Sequence, residues 1–204
     1  MNARVTEPST DLQALRAMRP KALRALLAQG HPIDPTALDD VAYRGVSLGI
    51  PRWVERLAWT TFVKTFHRDP ETGVLRGWNV RLEQTGLEGA VQPMLDSEGG
   101  PKTFGHFHVV GCGGLRTPKG ADGGLMIHYG LGGNAAWDGI RLLRDPVVAL
   151  SPGSVDRLLG WSYLDLGVSC PTPSYFLLER LGPLDHVAWP PQRPRPLLPR
   201  QPSP

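Results

Sequence analysis

Residues 125–180 constrain the fold more than any other part of the chain. GLMIHYG, GIRLLRDPVVALSPGSVDRLLGWSYLDLG and YFLLERL read as antiparallel strands joined by tight turns, with Ser-Pro-Gly at 151–153 between two of them. A sheet of that length must close on itself or be covered, because an open edge invites pairing with other chains. Closure into a small barrel around an apolar, partly aromatic interior meets the requirement.

The chain upstream extends the pattern. VAYRGVSLG, TTFVKTFHRD, VLRGWNVRLEQ and KTFGHFHVV read as further strands, and the second and third of these are joined by a loop at 69–73. GCGGLRTPKGADGG leads into GLMIHYG, and residues 130–139 form another loop. Strands follow at 140–150, 157–166 and 174–181, with Cys170-Pro-Thr-Pro as a turn before the last. The total is about eight, mostly sequential, the mark of an up-and-down meander closing as a barrel. Before the strands, Asp11 caps a short helix with Leu12, Leu15 and Met18 on one side. Pro20 opens a second helix with Leu23, Leu26 and Leu27, and Gly30 ends it. A further short helix is expected in IPRWVERLAW. The predicted organisation is a helical segment at 1–40 capping the barrel, a β-barrel at 41–182, and a Pro-rich disordered tail at 183–204. That tail holds eight prolines in twenty-two residues, a composition that blocks both ladders and helices, so it is either an inert terminus or a segment that docks on a proline-binding partner domain.

The sequence pI near 9.1 suggests nucleic acid until the charge is located. Residues 1–30 carry five Lys/Arg against two acids and 183–204 three against one, whereas 31–182 hold fourteen against sixteen. The basic excess sits on the two ends, so no nucleic-acid-binding face is expected on the sheet. No apolar run reaches the ~18 residues that span a bilayer, so no stable membrane insertion is expected. Without a signal-peptide pattern, Cys112 and Cys170 read as free thiols of a reduced, cytoplasmic protein.

Tyr43-Arg44-Gly45, Trp59 to Phe66 with Lys64, Tyr129, Asp138 with Arg141, Gly160, and Tyr175-Phe176 with Leu178 and Arg180 fall in that order. In this the chain resembles a family of uncharacterised proteins named for a short G-x-W-x-G motif, together with the lipocalin-like domain that follows it. Val41 and Tyr43 stand where the motif's first glycine and its tryptophan would be, and 86–102 lies outside the pattern. The resemblance implies a calycin-type barrel with an interior cavity and brings no catalytic residues.

Candidate chemistry rests on three groups. In TTFVKTFHRD, Phe62, Lys64 and Phe66 share one face, so Lys64 either points into a pocket or lies on a face with partly exposed rings. A buried Lys64 has a lowered pKa and can act as a base, a Schiff-base amine or an anchor for a ligand carboxylate. Asp138 and Arg141 form either part of that site or an ion pair at the barrel mouth. His106 and His108 share a strand face, with His128 on the next strand. If the three converge they suit zinc or iron, or haem through one of them; otherwise they are polar lining or surface groups. Trp59, Trp78, Phe107, Tyr129, Trp161 and Tyr163 all fall on predicted strands, and some must face inward. The expected function is binding of a small, largely apolar molecule, with these aromatic residues, Lys64, Arg141 and the histidines as lining. The rival is an enzyme of the isomerase or cyclase type in the same barrel, with Lys64, Asp138 or His108 as the base.

Overall fold

The computed structural model describes residues 11–49, 60–87 and 89–192. Eight strands run antiparallel: β1 (Val41–Leu48), β2 (Thr61–Arg68), β3 (Leu75–Arg81), β4 (Thr103–Gly111), β5 (Leu125–His128), β6 (Leu143–Ser151), β7 (Ser154–Asp165) and β8 (Ser169–Pro183). Each pairs with the next and β8 returns to β1, so the predicted up-and-down barrel is closed. Two short helices precede it, α1 (Leu12–Ala17) and α2 (Pro20–Ala28). No helix among the described residues is long and apolar enough to cross a membrane.

Local chemistry sets the strand ends. The Asp69 carboxylate accepts from the backbone N–H groups of Glu71 and Thr72, which folds the chain back between β2 and β3. Several boundaries differ from the sequence reading: β7 starts at Ser154 and not at 157, and β5 ends at His128, which leaves Tyr129 in a 3-10 turn. Residues 139–142 form a 3-10 turn, because the Asp138 carboxylate accepts from the N–H of Ile140 at 2.9 Å, and β6 therefore starts at Leu143. Cys170-Pro-Thr-Pro is no turn. Both prolines lie within β8, where the register slips between Trp161 and Tyr163. A bulge needs fewer ladder donors, so it tolerates proline.

The barrel has an inner and an outer set of apolar residues, divided by strand alternation. Val147, Leu158, Phe176 and Leu178 belong to the interior with Val41, Tyr43, Phe66, Phe107 and Ile127. Their neighbours Val148, Leu159 and Leu177 lie outside, where Leu15, Leu23 and Leu27 of the two helices cover them. The helices therefore pack on the outer wall of β6–β8. Arg24 is tied to the Lys119 carbonyl at 2.7 Å, with its guanidinium over the Trp161 ring. The connector after α2 closes one end of the barrel: Ile33 and Leu38 join the interior cluster, and His31 bridges to Ala149.

The tail expected to run free from Pro183 is partly docked. Residues 184–192 cross the outside of β2 and β3, where Leu184 and Ala188 pack on Val63, Trp78, Val80 and Leu82. Arg76 donates to the Ala188 carbonyl at 2.8 Å, and the Gln192 N–H donates to Gly133. The apolar outer face of β3 supplies the reason: Trp78 and Val80 need a cover, and LDHVAWPP provides one. The remainder of the predicted tail, 193–204, lies outside the described residues.

Candidate functional site

Three inward phenylalanines organise the interior. Each sits opposite a glycine in the strand register: Phe62 against Gly45, Phe107 against Gly77 and Phe176 against Gly160. The rings fill the volume that side chains would take. A Cβ on Gly45 or Gly160 would come within 2.3 Å of the Phe62 ring or 2.1 Å of the Phe176 ring. Pairing glycine with an aromatic ring across strands restores the packing that the glycine lacks.

Lys64 follows Phe62 on the same face and is 1% exposed. Its ammonium lies 5.0 Å from the centroid of Phe107, 5.2 Å from those of Tyr129 and Phe176, and 5.7 Å from that of Phe62. The charge thus faces four π systems, an arrangement that partly replaces its lost hydration. Lys64 Nζ donates to the Tyr129 hydroxyl at 2.6 Å and lies 3.5 Å from Asp145 Oδ2. The Tyr129 hydroxyl in turn donates to that same oxygen at 2.9 Å. Asp145 Oδ1 is buried with no hydrogen-bond partner among the described residues. Asn79, opposite Lys64 in the register, donates to the Gly105 carbonyl at a β4 bulge where Gly105 has φ +54°.

Burial sets the titration of the cluster. It pulls Lys64 down to about 8, against the opposing pull of the Asp145 carboxylate. Burial, reinforced by the same carboxylate, raises Tyr129 well above the ordinary tyrosine value, so its hydroxyl keeps its proton. The trio can hold a polar group, relay a proton between Lys64 and Asp145, and present an amine with a raised neutral fraction.

Of the residues singled out from sequence, Phe62, Lys64 and Phe66 meet in this interior, with Phe66 edge-on to both Tyr43 and Phe107. Trp59, expected on a strand, and the short helix expected after Pro51 lie outside the described residues. Trp78 faces outward beneath residues 184–192, beside the Arg76 guanidinium. Trp161 also faces outward, stacked on Tyr175 and donating to the Thr172 carbonyl at 2.7 Å. Tyr163 packs outside on Cys112 and Met126 and donates to the Arg116 carbonyl. The interior position of Phe107 sends His106 and His108 to the outer face, where His108 lies opposite His128. Burial lowers all three, His106 and His128 to about 4, and the Arg76 and Arg144 charges add to the effect. Among the described residues, no three His, Cys, Asp or Glu side chains are grouped to hold a metal ion. Asp138 caps its turn and Arg141 donates to the Ala136 carbonyl, so both serve the β5–β6 connection. Cys112 and Cys170 are free thiols.

Sequence reasoning missed Asp145 and Asn79. Asp145 left a signal, a lone acid at period two with Val147 and Ala149 in an apolar strand. Asn79 left none, because its role depends on facing Lys64 across the β2–β3 ladder.

Fold and site together define an eight-stranded antiparallel barrel with a lysine–tyrosine–aspartate cluster in its interior. No protein-family model matches the chain, and neither a curated protein nor a solved structure is found similar to it.

Proposed function

We propose that this chain is a lipocalin-like barrel, akin to the G-x-W-x-G family, that binds a small, largely apolar molecule by its polar head at Lys64, Tyr129 and Asp145. The buried Lys64–Asp145 pair, with one carboxylate oxygen unpartnered among the described residues, carries the reading. Replacing such a pair by apolar side chains of similar volume is often neutral or stabilising, so its presence in a barrel core points to use. A head group that accepts from Lys64 and donates to Asp145 Oδ1 completes the cluster, and an aromatic or branched body suits the surrounding rings.

Six of the nine exposed large apolar residues among the described residues support access from one end. Leu95, Leu131, Trp137, Leu142, Leu166 and Val168 are all exposed, Trp137 to 88%. They lie in the β3–β4, β5–β6 and β7–β8 connections, all at the end opposite Ile33 and Leu38. Exposed apolar residues gathered at one end support a binding mouth there. Phe62 and Phe176 stand nearer that mouth than Lys64 does, so a ligand reaches the lysine as those rings turn aside.

The test is titration of the purified chain with para-fluorobenzyl alcohol, followed by fluorine NMR. The expected result is saturable binding that weakens at least tenfold in Lys64→Met and strengthens in Phe62→Ala, which opens room beside the lysine. Binding that is absent, or unchanged in Lys64→Met, overturns the reading.

A further inference from the structure

We infer that Lys64 captures an aromatic or conjugated aldehyde as an imine, with Tyr129 and Asp145 handling the protons. The inference rests on the binding reading above and adds a class of ligand and a covalent step. Its ground is the combination of three features at one point: an amine enclosed by four rings, a hydroxyl at 2.6 Å from it, and a carboxylate within reach of both. An ion pair that served structure alone would not leave a buried carboxylate oxygen without a partner among the described residues.

The step balances without any outside reagent. Lys64 passes one ammonium proton to Asp145, directly or through the Tyr129 hydroxyl. The neutral amine attacks the carbonyl carbon, an N–C bond forms, and the carbonyl π pair moves to oxygen. That oxygen takes a proton from the attacking nitrogen by way of Tyr129, giving a carbinolamine whose hydroxyl faces Asp145 Oδ1. Asp145 then returns its proton to this hydroxyl, the C–O bond breaks, and water leaves as the nitrogen lone pair forms the C=N bond. The sum is ammonium plus aldehyde to iminium plus water, with the Asp145 carboxylate left as counter-ion. Burial assists at the start. An amine that titrates near 8 is neutral in about one molecule in ten at pH 7, far more often than an ordinary lysine. The four rings favour a planar, conjugated aldehyde over an aliphatic one, because its π face lies against them.

The experiment uses the full chain without substitution. It is incubated with para-fluorobenzaldehyde, reduced with cyanoborohydride and mapped by peptide mass, while para-fluorobenzyl alcohol reports non-covalent binding in parallel. The expected result is a single adduct on Lys64 at aldehyde concentrations that leave Lys21, Lys102 and Lys119 unmodified. Asp145→Asn is expected to slow trapping at least tenfold and Lys64→Arg to abolish it. If alcohol and aldehyde both bind but reduction yields no Lys64 adduct, the imine is refuted and the binding reading stands. If neither binds and Lys64 reacts no faster than the surface lysines, both fall.

Discussion

Lys64 and Asp145 are expected to behave as one unit in stability, and a double-mutant cycle measures this. Lys64→Met keeps the length and most of the volume of the side chain but leaves a carboxylate in a site where Asp145 is 2% exposed. Removing one partner of a buried pair costs about 3–5 kcal/mol, mostly for the charge left behind. At 3.5 Å and an effective dielectric near 20, the Coulomb attraction that disappears is about 5 kcal/mol, which sets the scale of the coupling. Asp145→Leu strands the ammonium instead. It should cost somewhat less, because Tyr129 and the four rings still face the charge. The double variant replaces both by apolar groups and is expected to lie within about 1 kcal/mol of the parent or to exceed it by up to about 4 kcal/mol. Urea unfolding followed by far- and near-ultraviolet circular dichroism reads all four proteins, and unchanged m-values keep the comparison two-state. The reasoning is refuted if Lys64→Met alone is neutral, or if the two single losses add up to the loss in the double.

Three further outcomes follow from the same geometry. Lys64 titrates near 8 in the fold against 10.5 unfolded, so between those values the unfolded chain holds more protons and stability rises with pH, by up to about 3 kcal/mol. Lys64→Met should abolish that rise in a urea series from pH 7 to 10; above pH 10 Tyr43 and Tyr163, which burial raises to about 12, reverse the trend. Gly160→Ala puts a Cβ at 2.1 Å from the Phe176 ring and should cost about 1–3 kcal/mol by overpacking, recovered in part by Phe176→Leu, as thermal melts would show. His106 is held to about 4 by burial and by Arg76, so its contribution is intact above pH 6.5 and lost as pH falls toward 4. His106→Phe should therefore move the acid unfolding midpoint, read by circular dichroism, to lower pH.

The number and order of the strands were legible because turn chemistry punctuates them. Asp69 with Gly73, and Pro152 with Gly153, stand where the chain reverses. The errors arose where one residue type has two uses. Pro171 and Pro173 read as a turn because proline breaks ladders, yet both lie within β8, Pro173 in its bulge and Pro171 opposite Tyr163. Ile140 read as strand because it is apolar and β-branched, yet Asp138 caps it into a 3-10 turn. Lys64 was legible as a candidate because two phenylalanines flank it at period two. Asp145 left only its period-two spacing with Val147 and Ala149, and that signal acquires its meaning once the pairing of β4, β5 and β6 brings it to Tyr129 and Lys64.

The assignment of faces was the harder problem, and its cause is physical. In a sheet with one wet face, alternation separates inward from outward residues. This barrel is covered from outside by α1, α2 and residues 184–192, so β3 is buried along nearly its whole length and its aromatic residue gives no hint of direction. Trp78, Trp161 and Tyr163 are as buried as any cavity lining, but they pack on the outer wall. The glycines carry the missing information. A strand glycine that lies opposite a phenylalanine leaves room for the ring on the crowded side of the wall, and in a small barrel that side is the interior. Gly45 with Phe62, Gly77 with Phe107 and Gly160 with Phe176 obey this rule in three separate strand pairs. Once those three rings are placed inside, alternation does the rest: Lys64 points inward two residues from Phe62, His106 and His108 point outward on either side of Phe107, and Trp161 points outward beside Gly160. The polar cluster then stands where the rings converge, and the histidines stand on the opposite side of the wall.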